Sequence, residues 1–340
     1  MAQQEREIES AGERPRGRWA PSPSGLLHVG SARTALVAWL SIRAAGGTFL
    51  WRLEDLDPPR VMAGAAEAGM EDLHWLGLDW DEGCRRQGGE EGAFGPYAQS
   101  RRGDHYRHAL VRLAEAGRLF PCRRTRRDLQ DLARAPHGAP QGSPYPDRLR
   151  PRDLGAGWWR DDAAVADAAL RFRVAADEVV FEDLLYGEQR ERPDRTVGHF
   201  VLRRRDGLFA YQLAVVVDDL AMEIDEVVRG EDLLASTARQ IQLAEALGGA
   251  APRFGHVPLV LNGEGEKLSK RDRGLTLRAL RDGGCEAAQV TGYLAASLGL
   301  IDEPRRCHPQ ELVANFCWRR LNRQDHRLPD DLLPPLRRIR

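Results

Sequence analysis

The apolar positions change period several times along the chain. A short stretch around Arg18 and Trp19 reads as a strand. From Ser31 the apolar residues Ala35, Leu36, Trp39, Leu40 and Ile42 fall at helical spacing until Gly46-Gly47 stops them, and Thr48 to Leu53 reads as a second strand. Strand, turn, helix, strand is the opening of a doubly wound α/β sheet, in which ligands sit beyond the carboxyl ends of the strands. Ser31 is expected to cap the helix. Two more helices are expected over Ala63 to Leu76 and Asp104 to Ala116, with a Gly-rich loop around Gly83 to Gly95 between them.

From Phe120 to about Gly207 the texture changes. Pro and Gly punctuate Pro136 to Pro146, and short alternating stretches such as Ala169 to Val174 follow. Phe200 to Arg205, the Asp206-Gly207 turn and Phe209 to Val217 read as a hairpin. The segment is read as a subdomain inserted between two halves of a nucleotide fold. The second half opens on Tyr211 to Asp219, a near-continuous apolar run expected of a buried parallel strand. Ser236 to Leu247 then reads as a helix, Val257 to Leu261 as a strand, and Leu275 to Leu298 and Pro309 to Leu321 as helical. The Arg-rich end from Leu328 to Arg340 is expected to be loosely held. The resulting division is a disordered 1–17, a first catalytic half 18–119, an insertion 120–207, a second half 208–274 and a helical segment 275–340.

Composition narrows the class. A net charge of -1 over 340 residues gives no global pull toward nucleic acid or membrane, so any RNA contact must use local patches such as Arg123-Arg124, Arg126-Arg127 and Arg203-Arg204-Arg205. Five scattered cysteines show neither a disulfide framework nor a CxxC pair, which fits a reducing compartment. Met1 to Gly17 lacks the apolar core of a signal peptide, and no later run is long and apolar enough to span a bilayer. These features read as a cytoplasmic, soluble, enzyme-sized protein; a monomer is expected.

Candidate chemistry concentrates in two stretches. Arg18 to Gly30 holds Pro21 and Pro23, which stiffen the backbone, and Gly25 and Gly30, which allow close approach of a ligand; His28 stands before a helix N-terminus, where free N–H groups and the helix dipole attract phosphate. The second stretch is Glu266-Lys267-Leu268-Ser269-Lys270-Arg271, reached through Asn262-Gly263-Glu264-Gly265. Lys267 and Lys270 are the two lysines of a chain whose other basic residues are all arginine, so these positions call for compact, rotatable ammonium groups rather than planar forks. A solvated loop is the plainer reading and ranks below a phosphate-binding one. Glu54-Asp55-Leu56-Asp57 closes the second strand with carboxylates, for which a solvated strand end is an equal reading at Asp55 and Asp57. Arg229, at a strand end beside Gly230, is a candidate anion ligand.

These residues resemble a known family. His28-Val29-Gly30-Ser31 is similar to the HIGH signature of class I aminoacyl-tRNA synthetases, and Lys267-Leu268-Ser269-Lys270-Arg271 to their KMSKS loop. The wording of Arg18 to Gly30, Arg52 to Asp55, Gln99-Ser100, Tyr211 to Asp219 and Arg229-Gly230 resembles the glutamyl group. Little chain follows Arg271, so the resemblance is to the glutamyl-Q-tRNA(Asp) synthetases, which lack the anticodon-binding domain. It implies a Rossmann-like catalytic fold split by an acceptor-binding-like subdomain. It implies ATP with Mg2+, L-glutamate and queuosine-bearing tRNA(Asp) as substrates. A glutamate pocket is implied at Arg18, Ala20, Ser22, Glu54, Tyr211 and Arg229, an ATP site at His28, Gly30, Lys267, Ser269 and Lys270, and catalytic roles for His28, Lys267 and Lys270. The family's zinc site survives here only as Cys122 and Tyr145, with Leu149 where its last cysteine belongs, so zinc is not expected. A truncated glutamyl-tRNA synthetase charging a tRNA 3′ end, or a silent RNA-binding paralogue, are the alternatives.

Overall fold

The computed structural model describes residues 14–125, 128, 145, 147–161, 165–268, 273–329 and 331–339. Ser269, Lys270 and Arg271, the basic pair Arg126-Arg127 and the Pro/Gly punctuation of 136–144 therefore lie outside the described residues, as do residues 1–13.

The helix expected after the first turn runs Val29–Ala44 (α1) between two strands, β1 (Arg16–Trp19) and β2 (Thr48–Trp51), which pair in parallel. The first strand thus begins two residues before Arg18, the expected start of order. It is His28, not Ser31, that caps α1: the imidazole Nδ1 accepts the Ser31 N–H at 3.1 Å. After β2 come α2 (Ala65–Trp75), β3 (Glu82–Cys84), β4 (Glu90–Glu91) and α3 (Gly103–Glu115). The Gly-rich loop between the two helices thereby supplies an edge hairpin to the sheet.

The stretch expected to form an inserted unit divides its strands between two sheets. β5 (Leu119–Cys122), β6 (Ala169–Phe172) and β9 (Val201–Arg203) form a three-stranded antiparallel sheet. β7 (Val179–Asp183) and β8 (Gly187–Glu191) form a hairpin that joins the main sheet. The expected return hairpin is short, closed by a bridge from Arg203 to Phe209.

Tyr211 to Asp219 is not a strand. It lies in helix α4 (Tyr211–Ala221), buried among the residues of α3, β6 and β9. A short apolar run carries no periodicity to separate a buried strand from a buried helix, and here tertiary packing decides for helix despite three consecutive valines. The helical twist has a consequence for the two acidic residues at its end. Successive positions point about 100° apart, so Asp218 meets Arg102, Gln99 and Tyr106, while its neighbour Asp219 turns to Arg18 and Arg52.

The chain re-enters the sheet as β10 (Glu226–Gly230), passes through α5 (Thr237–Ala246) and returns as β11 (Arg253–Val257). The expected strand over Val257 to Leu261 is cut at Pro258, which offers no N–H to a ladder. Its remaining part, β12 (Val260–Leu261), pairs instead with β13 (His326–Arg327) in a separate two-stranded sheet. The main sheet runs β4-β3-β2-β1-β10-β11-β7-β8, parallel from β3 to β7 with antiparallel β4 and β8 at its edges. Its order reverses between β1 and β10, and a crevice opens there.

The C-terminal helical segment is more broken and more firmly docked than its pattern suggests. Gly283-Gly284 divides α6 (Leu277–Asp282) from α7 (Ala287–Ser297), and the next helix, α8, spans only Pro309–Val313. Far from hanging loose, Leu328, Leu332, Leu336 and Ile339 are buried in the same core as α1, with α9 (Leu333–Arg337) packed on α7. The fully buried Arg33 of α1 ties the two ends of the chain, donating to the Pro258 carbonyl at 2.9 Å and the Ser297 carbonyl at 3.2 Å.

Two substitutions test this packing. Leu336→Ala should lower the free energy of unfolding by about 2–5 kcal/mol in a denaturant melt; a loss below about 0.5 kcal/mol, ordinary for a surface site, would mean the tail is not docked. Asp72 on α2 is fully buried with neither carboxylate oxygen hydrogen-bonded among the described residues, and burial pushes its carboxyl up to about 6 despite Arg281 and Arg278. Because folding raises this pKa, its stabilising effect is complete at acid pH and is lost as pH rises through about 6. Asp72→Asn should therefore be more stable than wild type at pH 8, on the order of 1–3 kcal/mol, with the gap closing toward pH 4; a gap that does not change with pH contradicts this reading.

Candidate active site

The crevice between β1 and β10 is a cavity of about 360 Å³. Every residue of the expected glutamate pocket lines it: Arg18 from β1, Ala20 and Ser22 just beyond, Glu54 after β2, Tyr211 at the start of α4 and Arg229 near the end of β10. His28, Gly30 and Lys267 line it too. Sequence positions far apart converge because parallel strands deliver their carboxyl ends to one edge of the sheet.

Its floor is a cluster of buried charges. Asp219 accepts from Arg52 at 2.6 Å and from Arg18 at 3.3 Å, and Arg52 also reaches Glu54 at 3.2 Å. Three guanidinium groups, Arg18, Arg52 and Arg229, thus face two carboxylates, Glu54 and Asp219. Burial holds the Glu54 carboxyl above its ordinary pKa, opposed by Arg52 and Arg18. Burial likewise raises the Tyr211 phenol, helped by the Glu54 charge.

Arg229 stands apart from the other two. Its Nε donates to His256 at 3.0 Å, and its terminal nitrogens to Gln240 at 2.6 Å, Thr237 at 2.8 Å and the Leu233 carbonyl at 3.2 Å. It also lies 5.1 Å over the Phe254 ring. These partners are all neutral, so the guanidinium is oriented without being neutralised, and burial pulls its pKa down. Because Arg229 also lines the cavity, a buried cation held this way is a candidate anion ligand.

The opposite wall presents the helix. The start of α1 contributes His28, Gly30, Ser31 and Thr34 to the lining, His28 is fixed by the Ser31 N–H on Nδ1, and a Cβ on Gly30 would come within 3.0 Å of that same nitrogen and 3.3 Å of Val260. On the lysine loop, Lys267 pairs with Asp232 at 2.5 Å, an exposed contact that costs little to break. The loop leaves β12 through a bridge between Leu261 and Lys267 and is anchored by buried Leu268. It re-enters through a bridge between Thr276 and His28. Both signature segments therefore border one cavity, while Ser269 and Lys270 lie outside the described residues.

Asp219, Arg52, Asp232 and His256 were not singled out from the sequence. Asp219 had a signal, an acidic pair ending an apolar run. His256 had none, since its partners come from other strands. Of the other carboxylates, Asp55 accepts from Ser100 and Asp57 lies 3.8 Å from Arg204, outside the cavity. Among the basic runs, Arg204 and Arg205 pair with Asp206 and Asp167. The zinc-site remnants come together, Cys122 Sγ at 3.5 Å from the Tyr145 hydroxyl, but that hydroxyl donates to the Leu149 carbonyl at 3.2 Å and two donors do not make a tetrahedral site. No group of three or more His, Cys, Asp and Glu is placed to hold a metal ion among the described residues, and no helix there is long and apolar enough to cross a membrane.

Known proteins share this fold and sequence. Residues 15–303 match the family model described as tRNA synthetases class I (E and Q), catalytic domain. Curated relatives named Glutamyl-Q tRNA(Asp) synthetase include one from Symbiobacterium thermophilum, 46% identical over 94% of this chain and 98% of the relative. Another, from Nocardia farcinica, is 47% identical over 94% and 95%. A relative named Glutamate--tRNA ligase 2, from Acidithiobacillus ferrooxidans, is 43% identical over 82% of this chain but 57% of its own length. Among solved structures, a glutamate tRNA ligase from Elizabethkingia meningosepticum in complex with its amino acid superposes with a TM-score of 0.80, at 29% identity, over 94% of this chain and 68% of that one. The chain belongs to the class I tRNA synthetases of the E and Q group and is a ligase built on their catalytic domain.

Proposed function

We propose that this cavity activates L-glutamate with ATP, without needing tRNA, and that the glutamyl group is then passed to the queuosine base of tRNA(Asp) in the cytoplasm. The observation that carries the reading is Arg229, a buried cation whose hydrogen-bond partners are neutral, facing a cavity that also holds a carboxylate, Glu54. Glutamate brings two carboxylates and one ammonium, and so one net negative charge. It would neutralise the one positive charge left by the three arginines and two carboxylates. Arg18 and Arg229 take the anions, Glu54 the ammonium, and Tyr211 and Ser22 fix orientation. Glutamine would leave Arg229 without a counter-charge, which is costly at a buried site.

ATP lies across the end of α1. A glutamate α-carboxylate oxygen attacks the α-phosphorus, the bond to the β-phosphate oxygen breaks, and pyrophosphate leaves as glutamyl-adenylate forms. His28 and the α1 amides face the developing charge from one side, and Lys267 and Lys270 from the other. Lys267 gives up Asp232 to do so. Mg2+ accompanying ATP would supply positive charge at the leaving pyrophosphate, and among the described residues no protein cluster is arranged to hold it. A ring hydroxyl of queuosine then attacks the adenylate carbonyl and AMP departs. The chain acts as a monomer.

The relatives named Glutamyl-Q tRNA(Asp) synthetase, matched over nearly their whole length, support this reading over 3′-end charging. The direct test follows pyrophosphate exchange and then radiolabelled glutamate. Exchange should need glutamate but not tRNA, and label should pass to queuosine-bearing tRNA(Asp) and not to queuosine-free tRNA(Asp). Label on the queuosine-free tRNA would favour the 3′-end alternative, and no exchange would favour the silent paralogue. Lys270→Ala should slow exchange by about 10²-fold or more; a rate within a few-fold of wild type would refute its role.

A further inference from the structure

Behind Arg229 stands a chain of buried groups on three adjacent parallel strands. Asp183 at the end of β7 accepts from His256 of β11, Nδ1 to Oδ2 at 2.6 Å, and His256 Nε2 lies 3.0 Å from Nε of Arg229 on β10. Asp183 is 1% exposed, His256 0% and Arg229 5%, so water does not compete. The other oxygen of Asp183 accepts the backbone N–H groups of Leu185 at 3.0 Å and Tyr186 at 2.9 Å. Both carboxylate oxygens are therefore acceptors with fixed assignments.

The chemistry leaves one protonation pattern. A guanidinium has donors only, so His256 Nε2 must be the acceptor and the imidazole proton must sit on Nδ1, where Asp183 takes it. We infer that His256, held by Asp183 in the tautomer protonated at Nδ1, is a positioning residue that sets the orientation of Arg229 and with it the affinity for a carboxylate ligand. The inference rests on the proposed glutamate-binding role of Arg229. His256 does not itself line the cavity, and it acts through Arg229.

Three charged groups bear on the ring from the elements around it: Asp183, Arg229 and Asp232. Burial, reinforced by Arg229 and opposed by Asp183 and Asp232, keeps its pKa below the ordinary value. Protonation would set an Nε2–H against the Arg229 Nε–H. Because folding lowers this pKa, the arrangement is intact above the ordinary histidine pKa and is lost as pH falls through the folded one.

An isosteric change distinguishes positioning from mere packing. In Asp183→Asn, the side-chain oxygen is kept by the Leu185 and Tyr186 N–H groups, so the amide NH2 must face Nδ1. That drives the proton to Nε2, toward Arg229. His256→Gln instead keeps an acceptor near Nε2, whereas His256→Leu removes it. Measured by glutamate-dependent pyrophosphate exchange, Asp183→Asn and His256→Leu should raise KM for glutamate about 10- to 100-fold, the effect of losing one hydrogen bond to a charged group. KM for ATP should stay within about 3-fold, as should KM for glutamate in His256→Gln. In wild type, KM for glutamate should rise on the acid side of pH 6.5, and this limb should vanish in His256→Gln. Imidazole ¹⁵N NMR of the wild type should show the Nδ1–H tautomer. Equal rises in KM for both substrates, or an Asp183→Asn variant indistinguishable from wild type, would overturn the inference while leaving glutamate activation standing. An Nε2–H tautomer in wild type would overturn it as well. A wild type without exchange would overturn the functional reading and this inference together.

Discussion

The site depends on a buried guanidinium that is oriented by hydrogen bonds but not neutralised. An isolated charge is expensive to bury, and most buried arginines are matched to carboxylates for that reason. Arg52 and Arg102 follow that rule, with Asp219 and Asp218 as partners. Arg229 departs from it: four neutral acceptors and an aromatic face hold the group in place while leaving its field directed at the cavity. The folded state carries that electrostatic cost, which a carboxylate ligand, as proposed, would relieve.

The rest of the fold supplies the conditions for this arrangement. Six parallel strands bring distant residues to one edge, and the reversal of strand order between β1 and β10 opens the crevice. The firm docking of the C-terminal helices against α1 keeps the helix N-terminus aimed at that crevice, with Arg33 tied to Pro258 at its margin. The described flanks of the lysine loop border the same crevice. The loop is pinned at Leu268 and at Thr276, and its Lys267 is engaged by an exposed acid, Asp232. Two tethered flanks and the start of α1 on the opposite side are what the proposed reaction, which grips a triphosphate and releases pyrophosphate, would use.

Much of this was legible in the sequence. The proline-stiffened cradle ending at His28, the lysine pair in an otherwise arginine-based chain, and the opening strand–helix–strand pattern located the fold and both walls of the cavity. Among the readings that failed, three show the physical reason most clearly. Leu213 to Val217 is apolar on every side, so its period could not separate helix from strand, and α4 owes its form to packing against α3 and β9. The C-terminal leucines lie between prolines and arginines that suggest a loose tail, yet Leu328, Leu332 and Leu336 each find the α1 core. Ser31 has the chemistry of a helix cap, but the imidazole at 28 reaches the Ser31 N–H first. The support of Arg229 left no mark at all, because Asp183, His256 and Arg229 meet through the lateral pairing of β7, β11 and β10, which no local pattern encodes.

The central claim, that Arg229 presents an unneutralised buried charge to a carboxylate, is tested most directly by calorimetric titration of the protein with L-glutamate and L-glutamine in the absence of ATP and tRNA. The two ligands share shape and size and differ by the side-chain charge. Glutamate should bind at least about 10²-fold more tightly, the discrimination expected when a buried charge is left without its partner. Equal affinity for the two would contradict the account.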